Sequence, residues 1–371
     1  MSSYLDRVNG RAVALRGDAR ADWNMFFIAA SIFAAGQAIE LLLLAVHQKD
    51  YLSLCNWDCG WYTTIVEHGY DIEPHGHSKG DAANWAFFPA LPMIAKALFH
   101  LFDFSAAGAL IVTGKVFFFL SIFWFMKLVR LYSPQVPAWL AGVTVAFSPY
   151  AIYGNVGYTE PLFLFSTCSF FCFLKRKEFV ASGLCGAFLT STRFVGLAAV
   201  CSYAVSTIRQ FHSRHGSRPA ILLGLLLIPL GLAIFMLMLY LVVGDSLAFS
   251  HVQRAWGRAA QNPLWIIDKG LRGSAFDVYS TVTALAALLL SLVLLIQRRP
   301  ELMVFSLICS ALPLMTGLWS LPRYVWWQAP LLLLVAELLH RTRSAFLAIP
   351  AALAGLWFMY GSWFAGKEFV I

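Results

Sequence analysis

Uninterrupted apolar runs of about 18–25 residues recur along this chain, and each is long enough to cross a bilayer as a helix. Lipid offers the backbone no hydrogen-bond partner, so a spanning segment must belong to a helical bundle or a closed barrel. The runs are continuous rather than alternating, which disfavours a barrel. Of the 371 residues, 60% are hydrophobic and only 12% charged, roughly half the charge of a soluble domain. The expected fold is an all-α polytopic membrane protein, with residues 1–371 forming a single transmembrane domain.

Charge sets the expected topology. The net charge of +8 does not form a nucleic-acid surface, because the basic residues sit in short blocks between apolar runs, as in cytoplasmic loops. These blocks are Arg7, Arg11, Arg16 and Arg20; Lys127 and Arg130; Lys175, Arg176 and Lys177; Arg209, Arg214 and Arg218; Arg298 and Arg299; Arg341 and Arg343. No nucleic-acid partner is expected. The first block precedes a full-length span without a small-residue cleavage site, so it reads as a cytoplasmic leader rather than a signal peptide. Spans are expected at about 23–46, 106–131, 135–153, 158–174, 219–243, 278–296, 301–318, 323–340 and 345–364. Stretch 179–208 is too long for one crossing, holds Arg193 in its middle and has basic blocks at both ends. It reads as two half-helices that enter and return, with Arg193 near the apex. Nine spans plus this pair place loops 47–104 and 244–277 on the outer face. Segment 86–102 is short and carries two prolines and Lys96, so an amphipathic helix in the interface is expected there. A second is expected at 57–68, with Trp57, Trp61, Ile65 and His68 on one stripe.

The first outer loop is acidic, with Asp50, Asp58, Glu67, Asp71, Glu73, Asp81 and Asp103 against Lys49, Lys79 and Lys96. Asp58, half shielded by aromatic neighbours at a membrane surface, is a candidate general base; the plain alternative is a solvated loop acid. Arg193 within an apolar stretch must face a cavity or a partner. It either anchors an anionic group such as a lipid phosphate or pairs internally with Glu40 or Glu160. Arg323, in LPRYVWW, either binds phosphate or snorkels to the surface. Glu160, beside Pro161, fits an acid complementing a helix N-terminus. In loop 244–277, His251, Gln253, Arg254, Trp256 and Arg258 mix basic and aromatic character suited to a sugar or headgroup. Cys55 and Cys59 flank Trp57-Asp58 and could pair in an oxidising compartment, but two buried free thiols are the favoured reading. The other cysteines lie in apolar runs, and none of the seven has metal-ligand spacing. His75 and His77 read as solvated rather than as metal ligands. No metal or cofactor is expected. There is no phosphate-binding glycine loop or dinucleotide fingerprint, and no segment long enough for the soluble α/β domain of a nucleotide-sugar enzyme.

The run NWDCGWYTTIVEHGY followed by ANWAFFPALP resembles the PIG-V family, the GPI mannosyltransferase II group of GT-C glycosyltransferases. The family shows a Trp-Asp soon after the first span, an I-A-E-x-G-Y-like run, then A-F-F-P and a second proline. Here these are Trp57-Asp58, Ile65 to Tyr70, and Ala86 to Pro89 with Pro92. Tyr158 to Phe163 resembles its Y-x-E-x-L-F, Ser191-Thr192-Arg193 its A-T-R, and Arg323-Tyr324 its late R-Y. The resemblance implies a GT-C-like bundle and a polyprenyl-phosphate sugar donor, dolichyl-phosphate mannose in eukaryotic members. It implies inverting transfer to a glycolipid or lipid-linked glycan acceptor on the non-cytoplasmic face, with Asp58 as base. Arg193 and Arg323 become candidates for the donor phosphate. Trp57, Trp61, Tyr62, Glu67, Glu160, Gln253, Trp256 and Tyr324 become candidates for the substrate pocket. The chain departs from the family at Phe194-Val195, where the family has Asn-Gly, and in segment 71–84. Compactness and the absence of an N-x-S/T sequon fit a bacterial inner membrane, with the active site facing the periplasm. A transporter or flippase of a lipid-linked sugar is the competing reading, although no internal repeat accompanies it. A noncatalytic scaffold fits the one-sided placement of polar residues less well.

Overall fold

The computed structural model describes residues 19–74, 81–212 and 217–367, apart from the side chains of residues 19 and 209. Arg7, Arg11, Arg16, His75, His77, Lys79 and Arg214 lie outside the described residues. Every regular element among those described is helical. In chain order the helices are α1 (Ala19–Val46), α2 (Asp58–His68), α3 (Ala90–Phe102), α4 (Ala106–Tyr132), α5 (Ala138–Ala146), α6 (Glu160–Lys175), α7 (Phe179–Thr190), α8 (Ala198–Phe211), α9 (Arg218–Leu227) and α10 (Leu230–Val243). They continue with α11 (Ala248–His251), α12 (Pro263–Leu271), α13 (Ala275–Ile296), α14 (Pro300–Leu314), α15 (Leu321–Trp326), α16 (Ala329–Thr342) and α17 (Ala345–Phe364). Five helical stretches are long and apolar enough to cross a membrane: Arg20–Val46, Ala106–Tyr132, Arg218–Val243, Ala275–Ile296 and Ala345–Phe364. The chain is a multi-pass integral membrane protein.

Two of the expected continuous spans are broken. At 135–153, α5 ends at Ala146 and a 3-10 helix covers Pro149–Gly154. Pro149 has no N–H to continue the ladder, and the Ser148 hydroxyl caps the new turn by accepting from the Tyr150 N–H. At 323–340 the chain breaks between α15 and α16. Gln328, fully buried there, accepts from the Ser306 hydroxyl (3.0 Å) and donates to Ser310 (3.1 Å). Stretch 219–243 bends at Pro229, which separates α9 from α10, a common cause of a kink.

The stretch around Arg193 folds as an entering and returning pair. α7 and α9 run side by side in the same direction: a Cβ on Gly183 would touch Gly224, one on Gly186 would touch Ile228, and one on Gly231 would touch Ala187. α8 returns from the break to the starting level of α9, where the Tyr203 hydroxyl donates to the Ile221 carbonyl (3.1 Å). Thr192 and Arg193 are non-helical and form the apex. The Ser191 carbonyl there accepts from the Ala90 N–H (3.1 Å), so the first turn of α3 is seated on the apex.

The ends of the bundle differ in chemistry. α6 begins at Glu160 and ends at Lys175, about 24 Å apart at 1.5 Å per residue. At its far end, Lys175 lies over the Tyr132 ring (4.6 Å) and Arg299 pairs with Glu337 (2.8 Å). Nearby, the Tyr132 hydroxyl donates to Glu301 (3.1 Å), and Lys127 pairs with Asp22 (2.9 Å). At the near end Glu160 shares Arg323 with Asp58 of loop 47–104.

That loop is tied down by one buried amide. Asn84 is fully buried; its N–H donates to Asp71 (2.8 Å), its Oδ1 accepts from the Asp71 N–H (2.9 Å), and its Nδ2 donates to the Gly69 carbonyl (3.0 Å). α2 and α3 pack beside α4. The inward face of α2 is Cys59, Tyr62, Ile65 and Val66. Of the expected stripe of Trp57, Trp61, Ile65 and His68, only Ile65 is buried.

The Gly183–Gly224 crossing is tight enough to test. Gly183→Leu forces a side chain against backbone and lowers stability by about 1–3 kcal/mol. Gly36→Leu, at a glycine with nothing within 4 Å, leaves it nearly unchanged. Thermal unfolding of both variants in detergent measures the difference.

Candidate active site

The near end gathers two carboxylates and two guanidinium groups from four distant segments. Asp58 opens α2, Glu160 opens α6, Arg193 sits at the apex between α7 and α8, and Arg323 lies in α15. Arg323 Nη2 donates to Asp58 Oδ2 (3.0 Å), and Arg323 Nε lies 3.0 Å from Glu160 Oε1. Arg193 Nη2 donates to the same Glu160 oxygen, while Arg193 Nε donates to Thr159 Oγ1 (2.9 Å). Two positive and two negative groups balance, which is what allows them to leave water together.

Burial separates their roles. The Glu160 side chain is 0% exposed, Arg323 4% and Arg193 16%. The Asp58 side chain is 25% exposed. Its Oδ2 is held by Arg323, and among the described residues its Oδ1 has no partner. Asp58 therefore presents one fixed and one open oxygen.

Aromatic rings cushion the cations. Arg323 lies over the rings of Tyr158 (4.9 Å), Tyr324 (5.2 Å) and Tyr153 (5.5 Å), and Arg193 lies over Tyr324 (4.7 Å). Such faces attract a guanidinium through the ring quadrupole. The Tyr158 hydroxyl accepts from the Asp58 N–H (3.1 Å) and donates to the Asn56 carbonyl (3.3 Å). Tyr62 is buried; desolvation, with the charge of Asp58 second, pushes its phenol up, so it stays a neutral hydrogen-bond donor.

The backbone at Asp58 is strained and clamped. Trp57 has φ 56° and ψ −114°, a region that costs a non-glycine residue about 1–3 kcal/mol. Cys55 and Cys59 form a disulfide across this turn, which corrects the expectation of two free thiols. Helix α2 starts only at Asp58, so Cys55 lies in the preceding turn and the two Cα atoms come within 5.1 Å, a distance suited to a disulfide. The tether and the hydrogen bond to Tyr158 hold the strained residue from both sides.

The other sequence candidates divide. Trp61 stacks on Phe87 (5.7 Å) and meets Trp256 edge-on (5.4 Å), roofing the region beside Asp58. Trp57 is 39% exposed at the rim. Tyr324 accepts from Arg323 Nη2 (3.4 Å) and also lines a groove of about 290 Å³ with Trp256 and Arg258. Glu67 lies at the exposed end of α2, 3.8 Å from His68 and roughly 14 Å along the helix from Asp58, so it does not join the cluster. Gln253 Nε2 donates to the Phe249 carbonyl (3.4 Å), in the same 3-10 turn as Trp256. Arg193 meets Glu160 rather than Glu40, which instead pairs with Lys115 (2.7 Å). Arg323 is buried and does not snorkel. Sequence reasoning missed Thr159 and Tyr153, whose roles depend on long-range packing with no local signature. Among the described residues, no group of three or more His, Cys, Asp or Glu could hold a metal.

No protein-family profile matches the chain. GPI alpha-1,6-mannosyltransferase 2 of Cricetulus griseus is 30% identical to it over 173 residues, covering 43% of this chain and 33% of that protein. The chain thus matches about a third of the length of this curated relative.

Arg323→Met leaves Asp58 and Glu160 without their shared cation and destabilises the fold by about 3–5 kcal/mol, the cost of stripping one partner from a buried pair. Adding Glu160→Gln recovers part of that loss. Thermal melts of the single and double variants check both statements.

Proposed function

We propose that the protein is a membrane glycosyltransferase that moves a sugar, mannose, from a polyprenyl-phosphate donor to a hydroxyl of a glycolipid or lipid-linked glycan acceptor, with inversion. The observation that carries this reading is Asp58, with Oδ2 fixed by Arg323 and Oδ1 without a partner among the described residues, in a cluster that shares Tyr324 with the groove of about 290 Å³. It lies in the stretch that resembles the PIG-V family, and the named activity of the curated relative agrees with that resemblance.

In this reaction Asp58 Oδ1 accepts the proton of the acceptor hydroxyl. The acceptor oxygen forms a bond to the anomeric carbon as the bond from that carbon to the phosphate oxygen breaks. The electron pair of the broken bond leaves on the lipid phosphate, and a single in-line displacement inverts the anomeric centre. A base must lie within about 2.6–3.2 Å of the proton it takes, and a carboxylate with one oxygen already held cannot swing away from that position. Arg193 and Arg323 are engaged by carboxylates, so in this reading they fix Asp58 and Glu160 and lend positive potential. Trp61, Tyr62, Trp256 and Tyr324 frame the substrate, and the site faces the non-cytoplasmic side.

Asp58→Asn keeps the shape and removes the base. Transfer from polyprenyl-phosphate mannose to a glycolipid acceptor pool, measured with purified protein, falls by about 10²–10⁴-fold, the usual contribution of a general base, with the melting profile retained. Full activity of this variant would sink the mechanism. Movement of the donor across vesicles without bond formation would instead favour a flippase.

A further inference from the structure

If the two site arginines are committed to carboxylates, the departing phosphate needs other cations. Releasing Arg323 to a ligand would strip Asp58 of its cation and leave the fully buried Glu160 with Arg193 alone, and releasing both arginines would leave Glu160 as an unpaired buried charge, which is strongly unfavourable. The groove of about 290 Å³ next to the cluster supplies alternatives. It is lined by Arg258 and Lys269 together with Trp256, Trp265, Trp319 and Tyr324. Among the described residues neither cation has a carboxylate partner. Arg258 Nη2 makes one long hydrogen bond to Ser320 Oγ (3.4 Å), and Lys269 lies over the Trp265 ring (5.0 Å). The acid in the lining, Asp277, caps its own helix: its Oδ2 accepts from both the N–H and the hydroxyl of Ser274 (2.9 and 2.7 Å).

The groove also reaches the reacting centre. Tyr324 forms part of its wall and accepts from the same Arg323 Nη2 that holds Asp58. Trp256 forms another part and touches Trp61 on α2. α12 contributes Trp265, Ile266, Lys269 and Gly270 to the lining, and leaves Leu264, Trp265 and Leu271 73%, 52% and 49% exposed. Exposed tryptophan with leucine beside a lysine is the pattern of a helix lying in a membrane interface. The cations therefore sit where a phosphate can be held while its apolar chain stays in lipid.

Resting on the glycosyl-transfer reading, we infer that this groove is the seat of the lipid phosphate, with Arg258 and Lys269 as its binding cations and the exposed face of α12 as the surface against which the polyprenyl chain lies. The donor is a phosphodiester with one negative charge. Transfer converts it to a monoester, which carries more negative charge near neutral pH. Two uncommitted cations therefore hold the departing group more tightly than the donor, so their attraction grows as the bond breaks.

The test is binding rather than turnover, which separates this inference from the fate of Asp58. Full-length protein in lipid nanodiscs is titrated with polyprenyl phosphate and followed by quenching of tryptophan fluorescence. Arg258→Ala and Lys269→Ala each weaken binding about tenfold, consistent with loss of a charge-assisted contact. Arg258→Lys retains most of the affinity. Arg272→Ala, at an exposed residue paired with Asp268 (2.7 Å), changes nothing. Polyprenol, which lacks the phosphate, and inorganic phosphate, which lacks the chain, both bind at least tenfold more weakly. Unchanged affinity in the Arg258→Ala, Lys269→Ala double variant overturns the inference, as does absence of binding to the parent protein. Equal competition by inorganic phosphate overturns the lipid half of it. Should Asp58→Asn remain active while the double variant loses binding, the phosphate seat stands and the assignment of the base fails.

Discussion

Arg323 is the point on which the candidate site depends. One guanidinium reaches Asp58 at the start of α2 and Glu160 at the start of α6, while three tyrosine rings lie against its faces. Without it, two carboxylates would share a poorly hydrated space with Arg193 alone. With it, the buried charges balance, and what remains open is one oxygen of Asp58. The network is asymmetric in a useful way: Glu160 is sealed and structural, whereas Asp58 is held but reachable. The same cation therefore provides both the stability of this end of the bundle and the orientation of its most exposed acid.

The fold was legible where lipid imposes a simple rule. Helices α1, α4, α13 and α17 start and stop within a few residues of the apolar runs that announce them. The charge pattern also told that the stretch around Arg193 enters and returns, because basic blocks sit at both of its ends. What the pattern hid were the breaks. Ser148-Pro149 starts a new turn inside an apolar run, and Gln328 interrupts another because Ser306 and Ser310 are waiting for it. Hydropathy does not register a single buried amide whose partners lie on another helix.

The site was legible in part. Asp58 stood out through its neighbours, and Arg193 through the cost of a charge in an apolar stretch. Their connections were not readable, since Asp58 and Arg323 are 265 residues apart. Spacing misled at the cysteines. Cys55 and Cys59 stand at i, i+4, yet the helix begins between them and the two pair across the turn. Arg258 was visible as one basic residue of a mixed loop, but its freedom from carboxylates is apparent only once Asp277 is seen to be capping its own helix.

The disulfide beside Asp58 has a consequence for biogenesis. Such bonds persist in oxidising compartments and are rare in reducing ones, so the covalent hold on Trp57 depends on which side of the membrane the first loop is delivered to. A chain threaded in the opposite sense would keep both thiols reduced and leave the left-handed turn at Trp57 without its clasp. Insertion and the placement of the Asp58 carboxylate are thus coupled by one bond, and a misoriented copy lacks the clasp that steadies the start of α2.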